Sequence, residues 1–128
     1  MKQEKFSLYK RLISFKYAIN GIKVLLNEEP NSRIHVVASL FAIVFSFVLH
    51  LSVIEWLFVI FSIGLVFAME LINSAIENLC DEINKETDPS IKKIKDLAAG
   101  AVLVSAGSAF IVGLIIFLPK VWSICFKH

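Results

Sequence analysis

Two stretches of this chain carry no charged side chain over a length that reaches across a lipid bilayer. Ile34 to Ile54 is 21 residues without Asp, Glu, Lys or Arg, and Leu97 to Pro119 is 23. Roughly 20 helical residues cross about 30 Å of hydrocarbon, so both qualify as spans. Between them, Trp56 to Met69 runs 14 residues before Glu70 interrupts it, and continuing to Ile76 gives 21 with one carboxylate inside. A span on either side makes the membrane the expected place for this middle stretch too. The pattern predicts an all-α membrane protein with spans over about 34–51, 55–76 and 97–118. The second helix is expected to continue unbroken past the membrane surface to about residue 80, so that Glu77 and Asp81 are wet.

Composition agrees with that reading. Of 128 residues, 57% are hydrophobic, against roughly 45–50% in an ordinary soluble domain. The length allows one domain, taken here as residues 1–128. A soluble fold would have to bury nearly every helix on all sides, which a chain this short lacks the interior to do. The formal net charge of +2 is too small to suggest a nucleic-acid partner, and the basic residues are not interleaved with aromatics. Cys80 and Cys125 have no metal-type spacing; they read as packing residues, without a disulfide. Met1 to Pro30 lacks the apolar run of a cleavable signal peptide.

The segment before the first span is a separate element. Phe6, Leu8, Leu12, Ile13, Phe15, Ile19, Ile22, Leu25 and Leu26 recur at steps of three and four, with Lys10, Arg11, Lys16 and Lys23 between them. This predicts an amphipathic helix over about 7–27 with a basic side, suited to a membrane interface. Pro30 ends it by disfavouring helix at Glu29. Of the thirteen basic residues, seven lie in Met1–Arg33, four between Glu77 and Asp96, and two in the tail. The connection from His50 to Glu55 has none. Basic loops stay inside, so the N-terminus and the second connection are expected in the cytoplasm and the C-terminus outside, in a multi-pass inner-membrane topology. Trp56 and Trp122 then both sit at the outer interface.

The chemistry concentrates in Glu70-Leu-Ile-Asn73-Ser-Ala-Ile-Glu77-Asn-Leu-Cys-Asp81. At about 100° per residue, Glu77 and Asp81 each fall about 20° from Glu70, and Asn73 about 60° away. A carboxylate at membrane depth costs about 2.5–3.5 kcal/mol even on a lenient scale, so the stripe must face protein, water or a cation. Glu77 and Asp81 alone could be a solvated helix end; Glu70 could not. A structural ion pair would want a basic partner at the depth of Glu70, and no span is expected to supply one. Glu28-Glu29 lies at the same interface, and one carboxylate from each of two elements plus substrate phosphates is a usual Mg²⁺ arrangement. Glu29 and Glu77 are the expected pair, while Glu28-Glu29 in isolation reads as a solvated loop. Lys92-Lys93-Ile-Lys95-Asp96 reads either as a topology signal or as a phosphate contact, with Lys95 on phosphates and Asp96 fixing that lysine or a ribose. His35 is expected near Glu29 as a satisfied polar residue. There is no phosphate-binding glycine loop, zinc-protease motif or protein-kinase signature.

Glu70-x-x-Asn73-Ser-Ala-Ile-Glu77-x-x-x-Asp81, followed by Lys95-Asp96-x-Ala-Ala-Gly-Ala-Val-Leu103, resembles the prokaryotic diacylglycerol kinase family, which includes the undecaprenol kinases. Gly21, Glu29, Asn31, Arg33 and His35 extend the match, which runs from about Tyr9 to Pro119. The resemblance implies three spans and an N-terminal surface helix, homotrimers with active sites shared between subunits, and transfer of the γ-phosphoryl group of ATP to a lipid hydroxyl with Mg²⁺. The product would be phosphatidic acid or undecaprenyl phosphate, in phospholipid or polyprenyl-lipid metabolism. By matching positions, Glu70 would be the general base, Glu29 and Glu77 the metal ligands, and Asn73 a residue that helps hold the site. Lys10, Tyr17, Glu29, Glu77, Lys95 and Asp96 would touch the nucleotide, with Glu86, Thr87 and Asp88 at a further nucleotide segment and Ala99 beside Glu70 at the lipid. The chain departs from the family's usual residues at Pro30, Ser32 and Thr87-Asp88-Pro89. The alternative from another class is a non-catalytic membrane scaffold or transporter subunit that uses the acidic stripe for assembly or proton passage. A proton path wants acids or histidines at mid-membrane depth on several spans, whereas these carboxylates gather at one interface.

Overall fold

A computed structural model describes residues 7–83 and 88–126, and these form four helices. They are α1 (Leu8–Glu28), α2 (Pro30–Val48), α3 (Val53–Ile83) and α4 (Pro89–Phe126). Three of them, α2, α3 and α4, are long and apolar enough to cross a membrane. The expected Glu86 and Thr87 lie outside the described residues.

The helix boundaries have local causes. Ser7 caps α1, its hydroxyl accepting from the Lys10 amide. Glu29 is extended at φ −101° and ψ 107°, as the proline after it demands. The same Pro30 then starts α2, since an N1 proline lacks only an N–H that would have no helical partner. Two side chains of α2 reach back to close α1. Ser32 is fully buried, and its hydroxyl lies 3.1 Å from the Leu25 carbonyl and 2.7 Å from that of Glu29. Arg33 donates to the carbonyls of Leu26 at 3.0 Å and Asn27 at 2.7 Å. The orphan carbonyls at the end of α1 are thus satisfied by the next helix.

α2 ends at Val48, earlier than the sequence suggests, in a Schellman turn. Leu51 N–H bonds the Ser46 carbonyl and His50 N–H bonds that of Phe47. His50 takes the left-handed conformation, φ 48°. Leu51 is folded inward onto Val59 and Ile116. α3 begins with a reciprocal capping box: Ser52 Oγ accepts from the Glu55 amide, and Glu55 accepts from the Ser52 amide at 2.7 Å.

α3 and α4 form the main helical hairpin, and α2 lies against α3. At 31 residues α3 is about 46 Å long, which exceeds the hydrocarbon thickness, so the helix extends beyond it. Its helix is unbroken from Glu70 to Glu77, as expected. α4 runs to Phe126 straight through Pro119, where the charge-free stretch suggested an end. One backbone bond is lost there, and neighbouring helices compensate for such losses in spans. Lys120, one residue on, pairs with Glu55 at 3.2 Å and ties this end of α4 to the start of α3. The apolar core sits at that end, around Leu51, Val59 and Ile116. Elsewhere the helices present apolar surface outward, with Phe41 61% and Leu103 74% exposed. Cys80 is buried and Cys125 is exposed, so only the first is the packing residue both were expected to be.

Candidate active site

The buried face of α3 changes character along its length. Val59, Val66, Asn73 and Cys80 repeat every seven residues, and Glu70 and Ser74 are buried beside the later members. The face therefore runs from aliphatic, near the core, to polar, near the far end. Glu70 stands at the change, 4% exposed.

Each of the three acids brought to this region has a different bonded neighbour. Glu70 Oε1 lies 3.0 Å from His35 Nε2 on α2. Glu77 Oε1 accepts from Asn73 Nδ2 at 2.9 Å, one turn earlier on the same helix. Glu29 Oε1 accepts from Ser74 Oγ at 3.4 Å, which connects the α1–α2 junction to α3. Ser74 and Glu77 are three residues apart and share a helix surface. The structure thus delivers Glu29 to the stretch of α3 that carries Asn73 and Glu77. Asn73 Oδ1 is buried with no hydrogen-bond partner. A buried acceptor left unpaired costs about 1–3 kcal/mol, which marks it as a place for a missing donor or cation.

Two placements differ from expectation. His35 contacts Glu70 rather than Glu29, so Glu70 does have a basic partner, an imidazole supplied by α2. Lys95 Nζ bonds Asp81 Oδ1 at 2.5 Å, while Asp96 is taken by Lys92 in an i,i+4 pair. Asp96 therefore does not fix Lys95. The Asp81 hydrogen bond holds the Lys95 ammonium above its ordinary range, on the turns of α4 that precede its apolar stretch. Asp88 accepts from the Ser90 amide at 2.7 Å and caps α4. Ala99 is exposed on α4, one turn beyond Lys95.

Lys10 and Tyr17 lie on the outer side of α1, and both are exposed. Seven residues apart, they share one face. Along the helix axis they are about 28 Å and 18 Å from Glu29, so one chain does not gather all the expected nucleotide contacts at one point. Among the described residues no three His, Cys, Asp or Glu side chains cluster as a metal site. Glu29, Glu77 and the unpaired Asn73 oxygen nonetheless all lie on or against one stretch of α3, and oxygen donors are the type that suits a hard cation.

An apolar groove of about 540 Å³ opens between α2, α3 and α4. It starts at His35, passes Ala38, Ala42, Val66, Ala109 and Gly113, and reaches Val121 near the opposite end. Small side chains on α2 and α4 leave the room. The groove and the acids meet at His35.

The family model for prokaryotic diacylglycerol kinase matches residues 16–117. The chain belongs to the prokaryotic diacylglycerol kinase family. It is 42% identical over 107 residues to the undecaprenol kinase of Bacillus subtilis, an alignment that covers 84% of this chain and 87% of that one. It is 36% identical over 114 residues to a diacylglycerol kinase of Synechocystis, covering 88% of this chain and 65% of the longer relative. The diacylglycerol kinase of Escherichia coli K12 is 33% identical over 107 residues, 84% of each chain. With three helices able to span a bilayer, this family member is a multi-pass membrane protein. The match contains every acid described above, and it includes His35 and Ser74. His35 was legible in the sequence as part of the family pattern, but not its contact. Ser74 stands in the same family pattern, but nothing in the sequence pointed to its contact with Glu29.

Proposed function

We propose that the chain is an ATP- and Mg²⁺-dependent lipid kinase that phosphorylates a membrane lipid hydroxyl at the acidic end of α3. The observation that carries this reading is the position of Glu70: a buried carboxylate bonded to His35, which lines the start of an apolar groove. A lipid with its tail in the groove would hold its hydroxyl beside His35 and Glu70. The family relation supports the same chemistry. The 42% identity to an undecaprenol kinase, above the 33–37% to diacylglycerol kinases, favours a polyprenol acceptor over diacylglycerol.

In this mechanism Glu70 accepts the hydroxyl proton as the lipid oxygen attacks the γ-phosphorus and ADP leaves. Phosphoryl transfer needs positioning and charge neutralisation more than covalent catalysis. Glu29 and Glu77 would hold Mg²⁺, which supplies charge neutralisation on the phosphates, and the Asn73 oxygen would complete that end of the site. Lys95 exchanges its Asp81 contact for nucleotide phosphate, with Asp96 near the nucleotide. Lys10 and Tyr17 are too far along α1 to serve the same site as Glu29 within one chain, which supports a homotrimer with shared sites. α1 lies along the cytoplasmic interface of the inner membrane, its exposed Leu8, Leu12 and Phe15 in lipid. Phosphorylation of a short polyprenol and of a short-chain diacylglycerol from ATP, compared in detergent, tests the reading. Transfer to the polyprenol at the higher kcat/KM is expected. ATP left unconsumed with either lipid would return the chain to the scaffold or transporter reading.

A further inference from the structure

We propose that His35 is a positioning residue for Glu70, holding one carboxylate oxygen so that the other faces the lipid hydroxyl. The inference rests on Glu70 being the base, and it concerns what aims that base.

Glu70 is buried in a span, where a carboxylate without a hydrogen-bond partner is strongly disfavoured. Its one side-chain contact among the described residues is His35 Nε2, 3.0 Å from Oε1. The other polar groups nearby are committed elsewhere: the Asn73 amide donates to Glu77 and the Ser74 hydroxyl to Glu29. An imidazole N–H donates to a carboxylate in both the neutral Nε2–H form and the cation, so the contact does not depend on the charge of His35. A terminal carboxylate torsion is broad and two-fold, and nothing in the rotamer itself fixes which way the oxygens point. The His35 bond removes that freedom.

The histidine is itself held in place. It stands one turn into α2, three residues after Ser32, whose buried hydroxyl ties α2 to the end of α1. It is also one-quarter exposed at the start of the groove, between the apolar lining and Glu70. A hydroxyl entering from the groove meets the pair from the side that His35 lines. Misplacing a reacting group by 1 Å can cost about 10² in rate, so an unaimed Glu70 should remain a base but a slow one.

The test uses full-length protein in detergent with a short polyprenol and ATP. His35→Leu keeps bulk and removes the donor; His35→Gln keeps an N–H of similar reach. The expected result is a loss in kcat of about 10–100-fold for His35→Leu, with the KM values for lipid and ATP and the oligomer size unchanged and the thermal midpoint lowered, because Glu70 is left without its partner. His35→Gln should recover to within a few-fold of wild type. Because His35 acts through Glu70, His35→Leu in a Glu70→Gln background should slow the enzyme no further. Wild-type kcat in His35→Leu, a further loss in the double variant, or stability falling in step with activity in both single variants would each overturn the proposal. If Glu70→Gln alone proves fully active, the base assignment fails instead, and the two failures are told apart by that variant.

Discussion

At the scale of single residues, the acids of this protein are distinguished by what holds them. Glu28 and Glu29 are neighbours in sequence, yet only Glu29 is turned to α3, where Ser74 meets it. Glu28 is exposed at the end of α1. Glu29→Gln and Glu77→Gln are therefore expected to raise the Mg²⁺ concentration needed for half-maximal rate at least tenfold, and Glu28→Gln to leave it unchanged. A magnesium titration of the three variants checks this, and equal effects at Glu28 and Glu29 would remove Glu29 as ligand. His50 gives a prediction about stability. A non-glycine residue in the left-handed region costs about 1–2 kcal/mol, while glycine loses about 0.5–1 kcal/mol through added freedom elsewhere. His50→Gly should thus stabilise the fold by up to about 1 kcal/mol, read as a higher denaturation midpoint in detergent.

At the scale of elements, charge-free length made the two outer spans legible, their flanking made the middle one legible, and helical spacing did the same for the acidic stripe. The ends were less readable. Pro30 was legible as a break, because it constrains Glu29, but its second task as the first residue of α2 was not. The stop at Val48 depends on Leu51 burying itself against Val59 and Ile116, a contact between elements that periodicity cannot contain. Pro119 looked like a stop, yet α4 passes it because Lys120 gains Glu55 on the other side. Two junctions carry predictions. Ser52→Ala removes one half of the α3 capping box and should lower stability by about 0.5–2 kcal/mol without altering kcat. Arg33→Ala frees the end of α1 from α2, and with it Glu29. A raised Mg²⁺ requirement at unchanged lipid KM is expected from kinetics, whereas a change in lipid KM alone would put Arg33 at the lipid instead.

At the scale of the whole molecule, the candidate site is legible in part only, because the expected nucleotide contacts do not converge within one chain. The α3 acids, Glu29 and the groove converge, while Lys10 and Tyr17 stand far along α1. Shared sites between copies would reconcile these positions and cover some of the apolar surface. Mixing two impaired variants, Glu70→Gln and Tyr17→Ala, should then restore part of the activity once subunits exchange, in proportion to sites that combine one intact residue from each chain. No recovery would mean that each chain builds its own site from Tyr17 and Glu70 together. The central claim is that the buried carboxylate beside His35 takes the lipid proton. Its direct measure is the rate of lipid phosphorylation from ATP by purified Glu70→Gln. The account predicts a loss of about 10²–10⁴ in kcat, with ATP binding, oligomer size and thermal stability retained, since glutamine keeps the shape and relieves a buried charge. Phosphorylation at near the wild-type rate would contradict it.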